Sequence, residues 1–407
     1  MHKPVRRFSV RMLPVLCCLL VLLAGCSGVG DASGNNQAPT PSPETTKAPQ
    51  ITPTPTVDPN VARVREIIKG MSIDEKIGQL IIVEYIGAGY TPELQYMVTK
   101  QHVGGYLYQE VNHNFDAPNN TIQAVSQMAE QVNKDAKIPL LSTIDEEGGL
   151  VNKLSTFYGA KPSARDMAQS GDPETAFQEG SKMAKEMLQL GIYGNLAPVV
   201  DVESGSPPLL ASRTFSSDPA AVATYAGRFV DGLQQNGVIA TLKHFPGLGS
   251  LTTSDDPHET LPTVNRSLDD LQKIDLAPYK ELIAKHKPAM IMTTNVVTTA
   301  LDPELPAELS PKVVDGVLRK QLGYDGVVIT DGLYMKGISN RWNIGEASVL
   351  AIIAGNDLVE GPFTSDQVAS VISAFKEALQ TGRLTEQRLD QSLERILLMK
   401  LRFNMLH

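Results

Sequence analysis

The amino-acid sequence predicts an α/β chain that closes into a single (β/α)₈ barrel. Three observations carry that prediction. Eight short apolar runs recur across residues 59–407, longer amphipathic stretches separate most of them, and no Gly-x-Gly-x-x-Gly appears. A β-then-α repeat builds a parallel sheet covered by helices. Eight units fit a closed barrel, whereas an open doubly wound sheet more often stops at six strands and carries a glycine fingerprint after its first.

The runs are residues 80–83, 104–108, 139–144, 195–199, 239–243, 289–293, 326–330 and 357–360. Each is of strand length and apolar. A first helix is expected near 61–69, and the intervening stretches 122–135, 173–189, 219–235, 268–284, 311–322 and 346–354 read as helices. In residues 385–403, Leu389, Leu393, Ile396, Leu397 and Leu401 fall at helical spacing. That stripe is expected to pack on the barrel rather than to form a partner helix's seam.

Ahead of the barrel the chain changes character. Lys3, Arg6, Arg7 and Arg11 precede an apolar run from Met12 to Leu23, which ends in Ala24, Gly25 and Cys26. That run is shorter than the ~20 apolar residues a spanning helix needs, so residues 1–25 read as a cleavable export signal. The ending LAGC resembles that of bacterial lipoproteins, which implies cleavage before Cys26 and lipidation of its sulfur. The catalytic domain is then expected outside the cytoplasm, held to the membrane by that lipid. Residues 26–58, rich in Pro, Ser and Thr, read as a tether that builds no core. Cys17 and Cys18 lie within the signal, so no disulfide or cysteine metal site is expected. Removal of the four basic residues takes the formal charge from −9 to −13, which argues against nucleic acid as a partner.

In a barrel of this kind the chemistry sits at the carboxyl ends of the strands. The third run leads into IDEEGGLVNKL, with Asp145, Glu146 and Glu147 ahead of two glycines. These are either ligand-binding acids or a tight turn with solvated ones. The fourth leads to NLAPVVDV and then SRTFSSDP, where Asp218 before Pro219 suits a helix N-cap. Arg213 is a planar fork for hydroxyls or carboxylates, with a structural pairing to Asp201 or Glu203 equally open. The fifth ends at Lys243 and His244 and opens a loop carrying Asp256 two residues before His258. An acid so placed can hold an imidazole in one tautomer and stabilise its cation, though Asp255 and Glu259 compete. The seventh ends VVITDG, which leaves Asp331 at the mouth as nucleophile, ligand or cap of the next helix. His244, His258 and the acids could also be read as metal ligands, but the sequence has no HExxH and no early HxH, so neither metal nor cofactor is expected.

Taken in order, DEEGG, NLAPVVDV, SRTFSSDP, KHFPGLG, DPHETLP and TDGLYM resemble glycoside hydrolase family 3, in its β-N-acetylglucosaminidase branch. The resemblance implies a barrel fold, Asp331 as nucleophile, and Asp256 with His258 as acid/base dyad. It implies sugar contacts from Asp145, Arg213, Lys243 and His244, with Lys153 where the family usually has Arg. The implied activity is retaining removal of a terminal β-linked N-acetylglucosamine from cell-wall fragments or related glycans. The chain departs from the family pattern at Leu150, Leu248, Asn295 and Pro257. Two other readings stand beside this one: a lipid-anchored sugar-binding protein with little turnover, and a related β-glycosidase or phosphorylase.

Overall fold

The computed structural model describes residues 58–204, 210–252 and 255–406. Cys26, the export signal and the tether up to residue 57 lie outside them. The eight expected runs form eight parallel strands: β1 Ile81–Val83, β2 Gly105–Tyr108, β3 Leu141–Ile144, β4 Gly194–Asn195, β5 Ile239–Phe245, β6 Met290–Thr293, β7 Val327–Gly332 and β8 Leu358–Glu360. Each pairs with its sequence neighbours, and β1 pairs with β8 in the register Ile81 to Val359 and Ile82 to Glu360, which closes the barrel. Nearly every strand residue is buried, because the barrel interior takes one face and the helices the other.

The helices start where capping residues put them. Asp218 accepts from the Ala220 N–H ahead of Pro219–Gln235, Thr121 caps Ile122–Asp135, and Thr385 caps Glu386–Arg402. In the last of these Leu389, Leu393, Ile396 and Leu397 are buried, and the helix packs against the first, Pro59–Lys69. Its stripe is therefore spent within the fold. Six helices go beyond the sequence expectation: Ile73–Gly78, Pro92–Thr99, Ser155–Tyr158, Ala164–Gln169, Lys336–Ser339 and Ser365–Gln380. The first five span only about one to two turns, too few for a periodic stripe to stand out. The last has Val368, Val371, Phe375 and Ala378 buried at helical spacing.

The fourth strand falls furthest short of its run. Residues 195–199 were expected in one strand, but β4 stops at Asn195, and Val199 forms only an isolated bridge to Lys243. Pro198 has no N–H to offer the ladder, so regular pairing ends there. The segment nevertheless stays beside β5, since the Ala197 and Pro198 carbonyls accept from Thr241 and Lys243 at 2.9 and 3.2 Å.

Candidate active site

At the carboxyl ends of the strands lies a cavity of about 460 Å³ whose lining includes Asp145, Lys153, Arg213, Lys243, His244, His258 and Asp331. These seven residues come from five separate motifs, and the barrel alone brings them together. Asp256 stands behind His258, outside that lining.

The wall formed by β3 and β5 is an ion-pair network. Lys243 reaches Asp145 at 2.5 Å and Glu147 at 2.6 Å, while the Arg213 fork grips Glu147 through Nε at 2.7 Å and its terminal nitrogen at 2.8 Å. Arg213 is thus matched by Glu147, not by either acid the sequence offered. Asp201 is engaged with His244 and Glu203 with Arg165. Burial pushes the Glu147 carboxyl upward, but the Lys243 and Arg213 charges overcome it and hold it well below the usual carboxylate range. Both cations are fixed in place by this arrangement, so neither side chain has to be ordered before a ligand binds.

Asp201 orients the second polar group. One of its oxygens accepts from His244 Nδ1 at 2.8 Å, and the other accepts the Leu248 N–H at 2.7 Å. The proton therefore sits on Nδ1, and Nε2 is left for the cavity. Leu248 itself is 1% exposed, in a small apolar cluster with Val199, Leu210, Leu251, Val264 and Val296. It anchors the loop that follows β5.

Glu146 is a structural member of the DEEGG motif. Its backbone N–H and carbonyl pair with the Asn195 amide at 3.0 and 2.8 Å, and its carboxylate accepts the Leu154 N–H at 2.9 Å. Gly148 and Gly149, at φ +83° and +59°, turn the hairpin formed by residues 146–148 and 151–152, and Leu150 is exposed at its tip. A Cβ on Gly148 would lie 2.2 Å from the Pro162 carbonyl oxygen, so only glycine fits there. Burial pushes the Glu146 carboxyl up to about 7. The unfolded chain would lose this proton near pH ~4.3, so the folded form is progressively penalised as pH rises from there toward 7, by about 4 kcal/mol in full. Glu146→Gln keeps the acceptor for Leu154 and removes the titration. Thermal melts at pH 5 and pH 8 should show a smaller loss of Tm with rising pH in this variant than in the wild type; parallel losses would contradict the assignment.

Asp331 stands in β7 at the cavity floor. Its oxygens accept from the Gly332 N–H at 2.9 Å and the Thr294 hydroxyl at 3.2 Å. The capping alternative fails, because the next helix runs Lys336–Ser339 with Met335 at its N-cap and no side-chain cap bond. Across from it, His258 Nδ1 is 2.7 Å from Asp256 Oδ1, which also accepts the His258 N–H at 2.9 Å. The rival loop acids are engaged elsewhere: Asp255 binds Thr252, and Glu259 pairs with Lys336. Both dyad side chains are about half exposed. The loop is held down by Asn295, whose amide donates to the Pro257 carbonyl at 3.2 Å, and by the Lys336 N–H on the His258 carbonyl at 3.2 Å. Asn295 is therefore a loop tether beneath the dyad.

Two cavity acids were missed by reading the sequence, Glu84 and Glu360. Their signal was present, since each closes an apolar run as Asp331 does: LIIVE and DLVE.

Comparison with known proteins agrees with the barrel fold. Residues 72–399 match the glycosyl hydrolase family 3 N terminal domain. The β-hexosaminidase LpqI of Mycobacterium tuberculosis is 33% identical over 398 residues, covering 96% of this chain and 97% of its own. The solved structure of M. tuberculosis LpqI superposes with a TM-score of 0.74 at 32% identity, over 83% of this chain and 96% of that one. A glycoside hydrolase family 3 β-N-acetylglucosaminidase from Paenibacillus sp. str. FPU-7 gives a TM-score of 0.78 at 34% identity, over 83% of this chain but only 63% of that one. With the match spanning most of its barrel, the chain belongs to glycosyl hydrolase family 3.

Proposed function

We propose that this protein is an exo-acting, retaining β-N-acetylhexosaminidase that removes terminal β-linked N-acetylglucosamine from cell-wall fragments or related glycans. The observation that carries the reading is one cavity holding a strand-borne carboxylate, Asp331, together with a carboxylate-held imidazole, His258. Relatives named β-hexosaminidase, one of them matched over nearly its whole length, support the substrate class.

In this mechanism Asp331 attacks the anomeric carbon, and the glycosidic bond breaks as His258 gives its proton to the departing oxygen. A glycosyl ester on Asp331 results. His258, now neutral, takes a proton from water as that water displaces Asp331, so the anomeric configuration is kept. Asp256 holds the imidazole by Nδ1 and stabilises its cationic form. Asp145, Lys153, Arg213, Lys243 and His244 position the sugar, the network giving directional donors for hydroxyls and the acetamido group.

The same reading extends to the whole chain. Residues 1–25 act as an export signal, Cys26 carries the lipid, residues 26–58 form a tether, and residues 59–407 are the catalytic unit that works outside the cytoplasm. No helix among the described residues is long and apolar enough to cross a membrane. A phosphorylase is the second reading, because an imidazole proton carrier does not repel an incoming phosphate as a carboxylate would. A panel of aryl β-N-acetylglucosaminide, β-glucoside and β-xyloside, each with and without phosphate, tests both. Preferential release from the N-acetylglucosaminide with N-acetylglucosamine as product is expected. Sugar 1-phosphate as the main product would move the protein to phosphorolysis, and no turnover of any glycoside would leave only the binding protein.

A further inference from the structure

Glu84 leaves the end of β1 and Glu360 closes β8, so the register that shuts the barrel brings the two carboxyls side by side. They are 2% and 4% exposed, and both line the cavity that holds Asp331. Donors around them are scarce. Asn112 Nδ2 reaches Glu84 Oε2 only at 3.5 Å, the Tyr334 hydroxyl lies beside the same carboxyl, and no donor of the described residues reaches Glu84 Oε1 or Glu360 Oε2. Their backbone N–H groups are used elsewhere, on the Pro362 carbonyl and the Thr330 hydroxyl. The cavity's Lys243 and Arg213 belong to the opposite wall, engaged with Asp145 and Glu147.

The cavity therefore has a donor wall and an acceptor wall. Four carboxyl oxygens offer far more lone pairs than Asn112, Tyr334 and a shared proton can occupy. Burial, with the Asp145 charge nearby, pushes Glu84 up to about 7 against the hydrogen bonds from Tyr334, Glu360 and Asn112, and burial beside Glu84 pushes Glu360 well above the usual range. A pair of this kind is costly to leave unsatisfied unless donors arrive with a ligand. Among the described residues no group of three or more His, Cys, Asp or Glu side chains is arranged to hold a metal ion. A sugar hydroxyl suits the place instead: its O–H donates to a carboxyl while its oxygen accepts from the facing donors.

We propose that Glu84 and Glu360 form a recognition wall for the bound terminal sugar, accepting hydrogen bonds from its ring hydroxyls and setting which sugar the site holds. The inference rests on the cavity taking a terminal sugar, as proposed above. Its test is equilibrium binding by calorimetry, which does not depend on turnover. N-acetylglucosamine and its 3-, 4- and 6-deoxy and deoxyfluoro forms are titrated into the wild type, Glu84→Gln and Glu360→Gln. Fluorine can accept weakly but cannot donate, so a hydroxyl that donates to the wall is lost equally in the deoxy and deoxyfluoro forms.

At one or more positions the wild type should lose at least about tenfold in affinity with both replacements, the size of a hydrogen bond to a charged group. The Gln variants should bind the parent sugar at least about tenfold more weakly with that position's discrimination gone, while melting near the wild-type Tm. A purely structural pair would shift Tm and leave discrimination intact, which overturns the proposal. Should the variants fail to fold, the wild-type series still decides, because tolerance of fluorine at every position overturns the wall by itself. Glucosamine bound in preference to N-acetylglucosamine, with the preference abolished in Glu84→Gln, would put an ammonium on the wall and overturn the hydroxyl assignment. Failure of every sugar to bind would instead overturn the functional reading on which the inference rests.

Discussion

Asp331→Asn is expected to lower kcat/KM on an aryl β-N-acetylglucosaminide by about 10⁴-fold or more, as removal of a nucleophile does when the rest of a site is intact. The fold should survive the change. An asparagine oxygen can still accept the Gly332 N–H, and its amide can donate to the Thr294 hydroxyl that now faces the carboxylate. Sugar binding by calorimetry and Tm should both stay near wild type, so the loss is confined to the chemical step. A variant with activity within tenfold of wild type would remove Asp331 from the mechanism and return it to the role of a ligand-binding acid.

His258→Ala should cost about 10²–10⁴-fold, the usual span for a proton carrier. The cost should depend on the leaving group. A nitrophenolate departs with little help, so formation of the glycosyl ester is least affected there, while the water that must release it has lost its base. A burst of phenol followed by slow turnover is therefore expected, together with acceleration by a small anionic nucleophile such as azide. Equal slowing on aryl and sugar aglycones, with no burst, would argue against a proton carrier at this position. Because the side chain is about half exposed on its loop, stability should change little, within about 0.5 kcal/mol. Asp256→Asn leaves the imidazole present and should fall between this variant and wild type.

What could be read from the sequence was whatever local chemistry decides. The strands were legible because a buried parallel strand is an uninterrupted apolar run, and the runs that end in acids marked the mouth. Residues 195–199 misled because Pro198 is apolar in pattern yet cannot pair, and Pro92–Thr99 was overlooked because eight residues show barely two turns. Pairings across the fold were not legible. Arg213 had two acids close in sequence and took a third, Glu147, that precedes it by 66 residues. Glu84 and Glu360 stand at opposite ends of the barrel's sequence, and only closure makes them neighbours. The departures at Leu248 and Asn295 likewise gained a meaning only from their contacts, one wedged under the loop after β5 and the other holding the dyad's backbone.

The network of Asp145, Glu147, Lys243 and Arg213 also governs how a substrate first arrives. Its two acids and two bases cancel, and the substrate proposed for it is an uncharged sugar. An uncharged sugar feels no long-range Coulomb pull of the kind that speeds charged encounters, and counter-ions have little to screen. Capture becomes a matter of diffusion and shape, and kcat/KM should be nearly flat from low to physiological salt. In the exported setting proposed above, such indifference would keep turnover steady when the ionic strength outside changes.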